Sequence, residues 1–340
     1  MTDREAVFLE KLARTGLWQL PGLLQALPDE TARLSRLCYA ASPVGDWLDT
    51  PPEVFFSCAA HARYLRENVS WTRALPEPLF LAYVLHPRVN NEALCDCRPV
   101  FYAALAERLR GLPEEAAILE INRWCAEHVA YQPTDERTRS ALAVLRAGFG
   151  RCGEESMFAV NVLRACGFAA RQVYVPRWAH CDDNHAWVEV RCGGAWHFLG
   201  ACEPEAVLDR GWFNSAAGRA VLVHSRCFGE PEPGADLIGR EGDVVYCNET
   251  ARYADVRRLT VRVTDGNGVP AAGANVDFCV LNNCEWYPAA TVQTDASGMA
   301  ALTCGLGSLR LLARRDGLCC EAFVSPEETG PVVLTLGKRA

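Results

Sequence analysis

Two stretches decide how this chain folds: Gly150-Arg151-Cys152-Gly153-Glu154-Glu155 and His185-Ala186-Trp187-Val188-Glu189-Val190. Cys152 follows a glycine-containing turn, Gly148-Phe149-Gly150, and begins a run with Phe158, Val162, Leu163 and Cys166 at helical spacing, ended by Gly167. A cysteine at a helix N-terminus meets unpaired N–H groups and the positive end of the macrodipole, which favours its thiolate. The same N–H groups suit an oxyanion. His185 opens an alternating strand after the polar loop Ala179 to Asn184, so its ring is placed at the mouth of a cleft. An imidazole there can pair with a thiolate and deliver a proton to a leaving amine.

Working outward, the strand signals around this pair are 172–175, 185–190 and 196–199. Upstream, apolar residues recur at helical spacing in short segments over residues 1 to about 50, through 53–67, and again over 101–110 and 116–128. Downstream, about seven short alternating runs lie between 258 and 336, separated by Asp265-Gly266, Asn267-Gly268, Ser297-Gly298 and Asp316-Gly317. Val276, Phe278 and Val280 alternate with Asn275, Asp277 and Cys279, the pattern of a half-buried antiparallel strand. The expected architecture is α+β: a helical region over 1–110, a mixed core over 111–250, and a separate all-β sandwich over 255–340.

Composition narrows the function. With 340 residues the chain is long enough for two or three domains. Its net charge of −8 argues against a protein that grips nucleic acid or anionic membrane. No apolar stretch is long enough for a transmembrane helix, and Met1-Thr2-Asp3-Arg4-Glu5 lacks the pattern of a secretory leader. Seventeen cysteines, an odd number without a compact framework, fit reduced thiols in a cytosol, and a cytoplasmic location is the expectation. Zinc spacing is missing, so no metal and no cofactor is expected. The metal alternative is Cys181, Cys192 and Cys202, which lie on neighbouring segments.

The order Gly-x-Cys-Gly at a helix start, a strand, His-Ala-Trp-Val-Glu-Val and a strand opening with Trp196 resembles the transglutaminase-like cysteine enzymes, over residues 115–228. Gly150-Arg151-Cys152-Gly153-Glu154 and the later Cys202-Glu203 are similar to the peptide:N-glycanase version. The resemblance implies a papain-like core with Cys152 as nucleophile and His185 as general acid/base. Val263-Thr264-Asp265, Gly268-Val269-Pro270 and Thr294-Asp295-Ala296-Ser297-Gly298 resemble the carboxypeptidase regulatory-like, transthyretin-like β-sandwich over 257–337. That resemblance carries no catalytic motif.

One departure stands out. The family's third member, an Asp, falls four residues after the strand-opening Trp, and here that position is Gly200. A two-residue turn at Gly193-Gly194 would pair His185 with Cys202, and a four-residue loop would pair it with Gly200. Both registers put positions 200 and 202 on the face of His185, and neither offers a carboxylate. Glu203 is a candidate third member only if the chain turns, and Gln132 is a candidate oxyanion donor. Arg177, Trp178 and Asp183, on the loop before His185, are candidate substrate contacts.

The expected function is a cysteine-dependent hydrolase acting on amide or peptide bonds of a peptide, protein or glycopeptide. Transglutaminase chemistry is the variant. The alternative is a non-catalytic ligand-binding protein on the same fold, for which Gly200 is the best argument.

Overall fold

The structure, a computed structural model, describes residues 3–135, 137–328 and 330–339. Helices run from Asp3–Thr15 to Arg98–Leu105 and bury the faces their periodicity defines: Phe8 and Leu12, Leu20 and Leu24, Leu34, Cys38 and Tyr39. The proline-interrupted segment becomes the short helix Glu77–Phe80 running into a π-helical turn, Leu81–Leu85. Two fully buried arginines tie off its end. Arg98 donates to the carbonyls of Val84 and His86, and Arg164 donates to those of His86 and Arg88. Because Arg164 sits on the Cys152–Ala165 helix, the helical region is anchored to the element that carries Cys152.

The central sheet has six strands in the order Ala195–Leu199, His185–Cys192, Ala170–Val175, His224–Phe228, Val244–Asn248, Leu237–Glu241, all antiparallel. Alternation along it separates two faces. Val188, Val190 and Ala170 meet Phe158, Val162 and Leu163 of the Cys152–Ala165 helix in one apolar cluster, joined by Ile118, Ile121 and Trp124 of the Glu114–His128 helix. The opposite face carries Val173, Val175 and Trp187 against Phe213 and Trp178.

The last strands form two sheets around a common apolar core that includes Leu259, Val261, Val276, Phe278, Leu302 and Leu311. One has five strands, ordered Glu285–Gln293, Asn275–Asn282, Leu309–Arg315, Leu318–Val324, Lys338–Arg339. The other has three, with Val256–Thr264 between Met299–Gly305 and Val332–Thr335, the last of these pairing parallel. The fold is thus a helical N-terminal region, a mixed helix-and-sheet core and a C-terminal all-β sandwich. Among the described residues, no helix is long and apolar enough to cross a membrane.

Ten of the seventeen cysteines are buried and all are free thiols. The Cys181, Cys192 and Cys202 alternative is corrected here. Cys192 closes the far end of the strand that His185 opens, while Cys181 lies in the loop before that strand. Eight residues of extended chain, roughly 25 Å, separate the two ends. Among the described residues no cluster of histidine, cysteine and acidic side chains is placed to hold a metal ion.

Candidate active site

Cys152 is the first residue of a helix running to Ala165, and a two-residue parallel bridge, Ala130–Tyr131 with Phe149–Gly150, fixes the approach to it. Glu154, fully buried, braces that approach. It accepts from the hydroxyl of Thr134 at 2.8 Å and from Nε of Arg139 at 2.8 Å. Burial opposes its ionisation, but the hydrogen bonds from Arg139 and Thr134 outweigh it and hold Glu154 down at about 2.

The backbone N–H groups of Gly153 and Ala186 both donate toward the Cys152 sulfur. Ala186 is the residue after His185, so the helix start and the strand start meet at this thiol. Burial pushes the Cys152 thiol up, more than the two N–H groups and the nearby Arg151 charge lower it. His185 is buried too, in an aromatic cage: Trp212 at 4.8 Å, Phe213 at 5.0 Å and Trp187 at 5.8 Å between ring centroids. Burial drives its imidazole down to about 4, with the Asp183 charge opposing. Its Nε2 is buried without a hydrogen-bond partner. Burial thus favours the neutral form of both groups, thiol for Cys152 and imidazole for His185.

The hairpin settles the register. Gly193 and Gly194 both take positive φ, 55° and 82°, giving a two-residue turn in which Cys192 opposes Ala195. The ladder stops at Val188 opposite Leu199, before it reaches the level of His185. The chain then leaves the sheet at Gly200, and the N–H of Glu203 returns to the Gly200 carbonyl at 3.3 Å. Cys202 adopts the left-handed region at φ 58°, which is unfavourable for a side-chain-bearing residue. Asn122 holds it there. Its Nδ2 donates to the carbonyls of Gly200 (2.9 Å) and Glu203 (3.2 Å), and its Oδ1 accepts from the Cys202 N–H at 3.0 Å.

The candidacy of Glu203 depended on a turn in the chain, and the turn is present: it brings the Glu203 carboxylate beside position 200. A side chain at 200 would fall on the Glu203 carboxylate and lie 2.9 Å from its Cβ. Glu203 thus fills the space beside Gly200, where an aspartate at 200 would put its side chain. Trp212, whose ring packs on His185, donates its indole N–H to Glu203 Oε1 at 2.9 Å, while Oε2 is buried and unpartnered. Burial raises the Glu203 carboxyl, with the Trp212 bond opposing.

The other expected site residues are dispersed. Trp178 is buried with Trp187 and Phe213 in the apolar cluster and is no substrate wall; an indole in this loop was free to turn inward. Arg177 lies over the ring of Tyr287 at 4.6 Å, facing the sandwich rather than the cleft. Asp183 is exposed, and its charge acts on both Cys152 and His185. Gln132 is exposed beside the bridge, its backbone N–H taken by the Gly150 carbonyl at 2.9 Å.

Three residues at the site escaped the sequence reading. Glu155, one helical turn beyond Cys152, is buried and has no hydrogen bond or ion pair among the described residues; burial, then the Glu203 charge, raises it to about 8. Trp212 and Tyr131 are largely exposed aromatics. Tyr131 pairs with Gly150, two residues before Cys152, and its hydroxyl is raised first by burial, then by charge at Cys152, Asp183 and Glu155. The only sequence signal for the two aromatics was a large ring inside a polar, turn-rich segment.

A family model described as the transglutaminase-like superfamily matches residues 103–201, which contain Cys152, His185 and Gly200. The chain therefore carries a transglutaminase-like domain. Three solved structures are similar to it. A protein from Cytophaga hutchinsonii described as a candidate cysteine protease is 14% identical with a TM-score of 0.32, and the match covers 54% of this chain and 68% of that one. Red sea bream transglutaminase is 12% identical with a TM-score of 0.28, covering 71% of this chain and 57% of that one. A streptococcal ancillary pilin is 7% identical with a TM-score of 0.21, covering 49% and 61%. The chain thus spans less than two thirds of the transglutaminase and of the pilin. No curated protein matches the sequence.

Proposed function

We propose that this protein is a cysteine-dependent hydrolase of amide or peptide bonds, with Cys152 as nucleophile, His185 as general acid/base and Glu203 as the carboxylate that stands in for an aspartate at 200. The observation that carries the reading is the convergence at one thiol of a helix start and of the strand that His185 opens. Beside the pair, the turn at Gly200 brings in Glu203. His185 takes the thiol proton as sulfur attacks the carbonyl, then gives it to the departing amine; water resolves the thioester with His185 as base. With burial favouring both neutral forms, proton transfer becomes part of the attack rather than a prior event. Gly-Arg-Cys-Gly-Glu and Cys-Glu favour a glycopeptide among the candidate substrates. The C-terminal resemblance to a carboxypeptidase regulatory-like module adds no chemistry to this reading.

Burial of both reacting groups, with His185 Nε2 unpartnered, favours the second reading, a binding protein that keeps the cleft without turnover. The two separate in one experiment. Peptide, glycopeptide and carboxamide substrates are screened for released amine, using the full chain and its Cys152→Ala and His185→Ala variants. Hydrolysis lost in Cys152→Ala and lowered about 10²-fold or more in His185→Ala supports the enzyme. Binding that survives Cys152→Ala, with no turnover in any variant, replaces it by the second reading.

A further inference from the structure

The C-terminal sandwich touches the loop that delivers His185, and one side chain, Asn282, makes most of the hydrogen bonds across that contact. Asn282 ends the Asn275–Asn282 strand and is 1% exposed. The turn beyond it, Asn283-Cys284, has both residues at positive φ (49° and 61°), and Asn282 opposes Glu285 across it. This tight tip projects into the 178–183 loop. Asn282 Nδ2 donates to three carbonyls there: Trp178 at 3.0 Å, Cys181 at 2.8 Å and Asp183 at 3.2 Å. Its own Oδ1 accepts from Asn283 Nδ2 at 3.0 Å.

Two neighbouring contacts repeat the pattern. The Asn283 N–H donates to Asp182 Oδ1 at 2.6 Å, and Arg177 lies over Tyr287. The loop closes on itself through the Trp178 N–H and the Asp183 carbonyl at 3.0 Å. The Asp183 carbonyl thus has a second donor, and the Cys181 carbonyl has one in the Asp183 N–H at 2.9 Å. The carbonyl of buried Trp178 has Asn282 alone among the described residues, and leaving such a group unpaired is costly. A carboxamide supplies that donor; an apolar side chain or a carboxylate does not. The last carbonyl held belongs to Asp183, two residues before His185.

We infer that the sandwich is a working part of the active site and that Asn282 is its positioning residue, fixing the 178–183 loop and through it the entry of His185. The inference rests on the Cys152–His185 reading. It assigns Asn282 no contact with substrate.

The test uses the full chain and iodoacetamide as probe, with the alkylation rate of Cys152 read by peptide mass spectrometry. Asn282→Ala is made alone and together with His185→Ala, and Thr291→Ala, elsewhere on the sandwich, controls for loss of stability. Hydrogen exchange of the 177–184 amides is followed in parallel. Asn282→Ala is expected to slow Cys152 alkylation about tenfold or more, to add nothing once His185 is gone, and to raise exchange in the loop. A slowing that persists in the His185→Ala background, or one that Thr291→Ala reproduces, reduces Asn282 to a structural part and overturns the inference. Unchanged exchange and unchanged rate overturn it as well. A wild-type protein whose Cys152 reactivity ignores His185 fails earlier: it removes the catalytic reading beneath, and Asn282 then positions a loop with no reaction to serve.

Discussion

Glu189 and Glu155 are buried glutamates of the same core, and their surroundings are opposite. Glu189, on the His185 strand, accepts from Nε of Arg171 at 2.7 Å, Nε of Arg252 at 2.7 Å and the Tyr253 hydroxyl at 2.6 Å; Arg171 also pairs with Glu249 at 2.7 Å. Burial opposes its ionisation, yet the two arginines hold the Glu189 carboxyl below its usual range. Among the described residues Glu155 and its neighbour Glu203 have no arginine or lysine partner, and both are raised. Charge is compensated where it holds the sheet together and left uncompensated beside Cys152 and His185. At the cleft, burial pushes two neighbouring carboxyls toward the neutral form, and perturbed groups of this kind cluster at functional sites.

The largest effect should come from breaking the compensated side. Glu189→Ala leaves the buried Arg171 with half of its pairing and the more exposed Arg252 without its carboxylate. Removing one partner of such a network typically costs about 3–5 kcal/mol. Urea unfolding should show a loss of that order, with any activity falling only as far as folded protein falls. A variant within about 0.5 kcal/mol of wild type would mean that the network is incidental.

Glu203→Gln tests the other side. It keeps the shape and the Trp212 hydrogen bond and removes only the charge. Turnover, or Cys152 alkylation where no substrate is known, should fall about 10²-fold, since an unoriented or wrongly polarised histidine forfeits most of its acid–base contribution. The unfolding midpoint should hold or rise, because an unpaired buried carboxylate is lost. A large fall in stability with little change in rate would make Glu203 another Glu189.

Gly200→Ala approaches the same carboxylate from the backbone. The added methyl falls where the Glu203 carboxylate lies, so the 200–203 turn must shift or Glu203 must leave. Overpacking of this kind costs about 1–3 kcal/mol. Reactivity should follow Glu203→Gln in direction and be smaller in size. If Gly200→Ala has no effect on reactivity, the carboxylate beside it is not the group that orients His185.

These contrasts also mark what the sequence could and could not disclose. Helical spacing placed Cys152 at a helix start and alternation placed His185 at a strand start, because local periodicity and turn glycines act within a few residues. The Gly193-Gly194 turn was readable for the same reason, though two registers remained open until the ladder was seen. Glu203 could be named only conditionally, because a strand pattern says which face a residue takes only while the strand lasts. The ladder ends at Leu199, and a left-handed Cys202 held by the distant Asn122 turns the chain. Trp178 misled because a loop residue's burial depends on what packs over it, here Trp187 and Phe213. Asn282 was out of reach altogether, lying about a hundred residues from the carbonyls it holds.

The finest test of the comparison is the pH dependence of stability. Glu155 has its carboxyl raised from 4.5 to about 8 in the folded chain, so between those values the folded state holds a proton that the unfolded state has released. Its contribution is therefore full below about 4.5 and is lost as pH rises through about 8. His185 acts in the opposite sense. Depressed from 6.5 to about 4, it makes the fold less stable as pH falls through that interval and has no effect above it. In the window from 6.5 to about 8 His185 is silent, while Cys95, lowered from 9.0 to about 6, acts there in the sense opposite to Glu155, so the carboxyl is read as a difference between variants. Relative to Glu155→Gln, which cannot ionise, wild type should lose stability, read as the urea midpoint, as pH rises across this window. Glu189→Gln should leave the slope in this window as it is in wild type, since a carboxyl held low by two arginines is ionised throughout. Equal slopes for wild type and Glu155→Gln would mean that Glu155 is already ionised and solvated near neutrality, and the contrast between the two glutamates would reduce to geometry alone.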